Sequence, residues 1–101
     1  MRSIRRAKRQ RAASLSGFIV TWDVDSRDAA MVSRVRRFVY GQRVDRHGRR
    51  YTYPGFVERE GVRYLGQSVL FVTQPRILEI RVFMEQNGVQ FHETSASLGT
   101  G

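Results

Sequence analysis

An α+β fold is predicted for this chain by three observations. Apolar residues alternate along residues 17–25, apolar residues recur at helical spacing between Met31 and Val39, and two further strand-like segments lead into a second helical pattern. In the first strand, Phe18, Val20, Trp22 and Val24 alternate with Ile19, Thr21, Asp23 and Asp25. Ile19 and Thr21 are not strongly polar, so the first half of this strand is expected to be covered on both faces, hence central. Its far end turns acidic.

A helix is expected next, over residues 27–40. Asp25 or Ser26 is placed to cap it, and Asp28 falls in the first turn, where negative charge suits the helix dipole. Met31 or Val32, Val35, Phe38 and Val39 form its apolar stripe, with Arg34 and Arg37 together off it. Gly41 ends it at a position that favours a left-handed residue. Residues 42–50 read as a polar loop. Residues 51–59 read as a strand that Pro54-Gly55 confines to an edge or bulges. Glu60-Gly61 reads as a hairpin turn, and residues 62–72 as the next strand, with Val69 to Val72 its buried end.

Residues 73–87 admit two readings. Thr73 as cap, Pro75 in the first turn and Ile77, Ile80 and Phe83 or Met84 at helical spacing give a helix. Ile80, Val82 and Met84 also alternate, and Asn87-Gly88 is a hairpin signal. The helix is preferred. A short strand over residues 89–93 follows.

The order β, α, β, β, α, β is that of a ferredoxin-like sandwich, an antiparallel sheet with both helices on one face. The expected organisation is a basic flexible arm over 1–16, the ferredoxin-like domain over 17–94 and a flexible tail over 95–101. With 101 residues there is one domain. It would bury only roughly 60–70% of its unfolded surface. The open sheet face and the strand edges therefore favour association, and a homodimer is expected.

Charge is segregated along the chain, whose formal net charge is +9. Arg2, Arg5, Arg6, Lys8, Arg9 and Arg11 precede the first strand without an acid among them. A second block, Arg34, Arg36, Arg37, Arg43, Arg46, Arg49 and Arg50, contains only Asp45 as counter-charge. Two such patches on a small domain attract polyphosphate and release its counterions, so the expected partner is nucleic acid, DNA or RNA. A solvated basic tail is the plainer alternative. Tyr51 and Tyr53 follow the second block at strand spacing and share a face, as aromatics do where bases stack beside arginines. They serve equally to pack an edge strand.

Chemistry beyond binding has one candidate centre. Asp23, assisted by Asp25, lies at the end of a central strand beside a helix start, where a carboxylate suits a hard cation such as Mg²⁺. Capping and pairing with an arginine are the competing roles. His47 and His92 lack ligand spacing, so zinc is not expected. The chain has no cysteine, which removes disulfides and thiolate chemistry. No apolar run is long enough to span a bilayer, so no membrane association and a cytoplasmic location are expected.

The segment Phe18-Ile19-Val20-Thr21-Trp22-Asp23-Val24-Asp25-Ser26-Arg27-Asp28, then a helix bearing Arg34-Val35-Arg36-Arg37 and ending at Tyr40-Gly41, resembles the opening of the small CRISPR-associated adaptation protein family, the companions of the spacer integrase. Gln67-Ser68-Val69 followed by Phe71 is similar to that family's Gln-x-Ser-Val-Phe strand, with the spacing altered by one residue. The virulence-associated D toxins share the fold and a similar first strand. This chain adds a basic arm and a long insertion over residues 42–61. The resemblance implies a ferredoxin-like homodimer holding nucleic acid backbone, with Asp23 near its two-fold axis where a metal-dependent nuclease activity is proposed for the family. The alternatives are a structural nucleoprotein subunit, ribosome-associated or in a virion and so part of a larger nucleoprotein complex, and an adaptor for an acidic protein.

Overall fold

The computed structural model describes residues 14–99, which form an α+β domain. Its elements are β1 (Ser14–Asp23), α1 (Ala29–Tyr40), β2 (Gly41–Arg46), β3 (Arg49–Pro54), a 3₁₀ turn (Phe56–Glu58), β4 (Val62–Gly66), β5 (Val69–Thr73), α2 (Gln74–Gln86) and β6 (Gln90–Gly99). Four strands make one antiparallel sheet in the order β4-β5-β1-β6. Among the described residues, strands β2 and β3 pair only with each other.

β1 is central, as its two-sided apolar first half requires. Val20 and Trp22 from β1 and Leu70 and Val72 from β5 meet Val35 and Val39 of α1 and Ile77, Ile80 and Met84 of α2 in one buried cluster. The two helices are joined by Phe38 and Phe83, whose rings stack at 4.0 Å between centroids. Phe56 continues the stack at 5.3 Å from Phe38. Arg81 ties α2 to β6 by two bonds to Glu93, at 2.6 and 2.8 Å, and lies over the Phe18 ring. The opposite sheet face carries Leu15, Ile19 and Val69, all partly buried, and Phe71, which is 1% exposed. A Cβ on Gly17 would fall 2.5 Å from the Val72 carbonyl oxygen and 2.9 Å from the Phe71 ring tip, so only glycine fits there.

Several expected boundaries move. β1 takes in residues 14–16 and β6 takes in 95–99, so neither stretch is arm or tail. Their backbones pair with each other, Ser14 opposite Gly99 through Phe18 opposite Ser95. Ladder hydrogen bonds hold this end, where Leu15, Ala96 and Leu98 are only partly buried and their alternation with serines is a weak periodic signal. Val24 and Asp25 lie beyond β1, because the chain turns: the Asp28 N–H donates to the Asp25 carbonyl at 2.9 Å. Asp28 caps α1, its carboxylate accepting from the Met31 N–H; Asp25 and Ser26 do not.

The expected loop over 42–50 is most of a hairpin. His47 and Gly48 both have positive φ, the geometry that matches a two-residue turn to strand twist. The expected strand over 51–59 stops at Pro54 and gives way to the 3₁₀ turn. Glu60-Gly61 leads into β4 rather than closing a hairpin. The expected strand over 62–72 is two strands, because Gln67-Ser68 turns the chain with Ser68 left-handed at φ 59°. Residues 74–86 are helical, which settles the ambiguous segment. Thr73 precedes that helix without capping it; its hydroxyl donates to the Gly61 carbonyl at 3.0 Å. Among the described residues, no helix is long and apolar enough to cross a membrane.

Candidate nucleic-acid interface

The second basic block becomes two flanks of one helix, Arg34 and Arg37 on one and Arg36 on the other, and one hairpin. Val35 and Val39 bury against the core, which leaves Arg34, Arg36 and Arg37 exposed. Arg34 donates to the Asn87 side-chain oxygen and Arg37 to the Ser33 hydroxyl, both at 3.1 Å. Both partners are neutral, so both arginines keep their charge for an anion. Arg37 and Pro54 line the same shallow cleft, so that flank of the helix runs on to the root of the hairpin.

Arg43, Arg46, Arg49 and Arg50 all lie on the β2–β3 hairpin and all are exposed. Arg50 pairs with Asp45 at 3.3 Å. This pair is open to water and worth little by itself. Tyr51 and Tyr53 are 42% and 50% exposed. That favours their availability to a partner over a role in packing the sheet. His47 sits at the hairpin tip, and His92 on β6 lies opposite Thr21.

The hairpin root is held tightly. Gly41 has φ 85°, and a Cβ on Gly55 would overlap the Gly41 nitrogen, the Tyr40 carbonyl carbon and the Val39 oxygen. The Gly55 N–H donates to the Glu58 carboxylate at 2.9 Å, and buried Phe56 anchors the next residue. The charged ribbon is thus fixed to the end of α1 rather than carried on a slack loop.

Asp23 lies at the rim of a cleft of about 350 Å³ with Ser26, Arg36, Tyr40, Gln67 and Ser68. The Trp22 N–H to Ser68 carbonyl bond, 3.4 Å, brings the β4–β5 turn beside the end of β1. Tyr40 and Ser68 lie outside the expected site residues, and Arg36 is expected only as part of the second basic block. Their convergence depends on the strand break at Gln67-Ser68, which the apolar pattern around it conceals. Partial burial, with the Tyr64 phenol nearby, pushes the Tyr40 hydroxyl above its usual range; Arg36 opposes this.

Asp25 does not join Asp23. It binds the Arg27 side chain at 3.1 Å through both carboxylate oxygens and accepts the Arg27 N–H at 2.9 Å. Those bonds hold its carboxyl below the usual aspartate range. Among the described residues, no three acidic, histidine or cysteine side chains gather as metal ligands. One chain therefore offers a divalent ion a single carboxylate, that of Asp23, with neutral oxygens and an adjacent arginine beside it. The arm residues Arg2, Arg5, Arg6, Lys8, Arg9 and Arg11 lie outside the described residues.

Comparison with protein-family models, with curated proteins and with solved structures gave no match.

Proposed function

We propose that this protein is a nucleic-acid-binding homodimer that grips the phosphate backbone. The observation that carries the proposal is the exposed arginine series from Arg34 to Arg50, which has one acid in that stretch of chain and passes the Arg37–Pro54 cleft, where Glu79 is paired with Arg59 and Arg76. Backbone contacts of this kind set position without reading sequence. The basic arm adds charge at the start of β1.

Ferredoxin-like organisation is part of the proposal. With the β2–β3 hairpin set aside as an insertion, the strand order β4-β5-β1-β6 around two helices is that of two split βαβ units. The second copy would cover the sheet face bearing Leu15, Ile19 and Val69. Cytoplasmic placement belongs to the same reading, since a cysteine-free chain needs no oxidising compartment.

Changing Arg34 and Arg37 to Glu should weaken binding to unrelated DNA and RNA sequences by similar factors. A weakening confined to one sequence would overturn backbone recognition. Membership in a larger nucleoprotein complex is compatible with this binding. An acidic protein partner is the weaker alternative, because it does not account for exposed tyrosines beside the arginines.

A second reading, a metal-dependent nuclease like the one proposed for the CRISPR adaptation family, is favoured by Asp23 standing exposed at the cleft rim. Asp25 is withdrawn from it by Arg27. A single aspartate makes a weak metal site alone, so this reading has two copies of Asp23 meet across the dimer axis to hold one Mg²⁺. Asp23→Asn should then remove Mg²⁺-dependent cleavage and leave binding intact or tighter. Cleavage by the variant at the wild-type rate, or none by the wild type, leaves a binding protein alone.

A further inference from the structure

We infer that the β2–β3 hairpin is a groove-inserting ribbon for double-stranded DNA. The inference rests on the nucleic-acid reading above and names its substrate and docking element. Opposite residues in an antiparallel pair point to the same side, and sides alternate along each strand. The register therefore puts Arg46, Arg49, Val44, Tyr51 and Tyr53 on one side of the ribbon, and Arg43, Arg50, Thr52 and Asp45 on the other. Arginines thus project from both faces near the tip. The face with Arg46, Arg49, Tyr51 and Tyr53 could by itself serve a single strand, but that use leaves Arg43 and Arg50 of the other face without a phosphate. Cations on two faces match the two phosphate walls of a groove.

Dimensions agree with this. The six paired positions extend roughly 20 Å at about 3.4 Å per residue. The B-DNA major groove, about 12 Å wide and 8.5 Å deep, admits a two-stranded ribbon. The deep, narrow major groove of A-form RNA does not. Among the described residues, no third strand pairs with β2 or β3, so both edges are open. The root is locked by Gly41 and Gly55, so little ordering of the backbone is left to the binding step. Tyr51 and Tyr53 would meet the groove from one side, near sugars and base edges. Asp45 offsets Arg50 on the other side and reduces the pull of that face.

The test measures binding of the full chain to a duplex of roughly two helical turns. The duplex is presented as DNA, as the same DNA with glucosylated hydroxymethylcytosine filling the major groove, as RNA duplex and as single strands. The variants are R46E/R49E and R43E/R50E, with glutamine versions of both; their folding is checked by circular dichroism. Insertion predicts preference for plain duplex DNA and at least tenfold weaker binding on glucosylation. It also predicts weakening from each arginine pair, smaller for R43E/R50E because Asp45 already offsets Arg50, with the salt slope falling by up to about 0.9 for each phosphate left unneutralised. Equal binding to the glucosylated duplex, preference for single strands or duplex RNA, or dependence on one face alone would overturn the ribbon while leaving nucleic-acid binding in place. If wild-type protein binds no nucleic acid, both readings fail together. The glucosylated duplex uses wild-type protein, so that arm decides even if a variant does not fold.

Discussion

Gly55 shows how a single residue can set the position of the whole charged surface. Its Cα lies so close to the chain at Val39–Gly41 that any side chain would overlap backbone, which cannot swing aside. Gly55→Ala must push the hairpin root away from α1. The expected cost is about 1–3 kcal/mol, as for other overpacked sites, measured by urea unfolding. Nucleic-acid binding of the folded fraction should fall as well, since Arg37 would no longer adjoin the hairpin. A variant as stable as wild type would show that the root is slack. Asp23 and Asp25 make the opposite point. They are alike in sequence and two residues apart, yet only Asp23 faces the cleft, because the chain turns between them and gives Asp25 to Arg27.

At the scale of elements, the arm and the ridge are separable. β1 begins at Ser14, so deleting residues 1–13 removes no described element. The melting temperature should stay nearly unchanged while affinity for a DNA duplex falls. Its salt dependence should flatten by up to about 0.9 log units for each phosphate the arm neutralises. Unfolding of the truncated chain would instead assign the arm a role in folding. The elements differ in how legible they are from sequence. The central strand and α1 are readable because Val20, Trp22, Val35 and Val39 are fixed by burial, and burial leaves a period in the sequence. The hairpin is not readable. Apart from Val44, residues 43–50 carry no apolar side chain to set a period, and the turn rests on a left-handed His47 beside Gly48, a pairing with less local preference than Asn-Gly. The turn at Gln67-Ser68 is hidden for the converse reason, since apolar residues flank it on both sides. The arginines of the candidate site can be picked out by charge alone, but their division between two ribbon faces needs the register. The cleft around Asp23 needs the approach of the β4–β5 turn to the end of β1.

For the whole molecule, the proposed dimer rests on the sheet face away from the helices. Leu15, Ile19, Val69, Ala96 and Leu98 make an apolar strip there that is only partly covered within one chain. Sedimentation at micromolar concentration, in enough salt to suppress charge-driven association, should give about twice the chain mass of 11.7 kDa. A monomer throughout that range would leave the nuclease reading without its second Asp23 and would overturn that reading. Binding by charge does not depend on the dimer. The measurement that bears on it most directly is affinity for mixed-sequence duplex DNA across a series of salt concentrations. If Arg34, Arg37, Arg43, Arg46, Arg49 and Arg50 each meet a phosphate, log K should fall against log salt with a slope of about −5 from the described surface, steeper with the arm engaged. A slope near zero, or no binding at the lowest salt, would contradict the account.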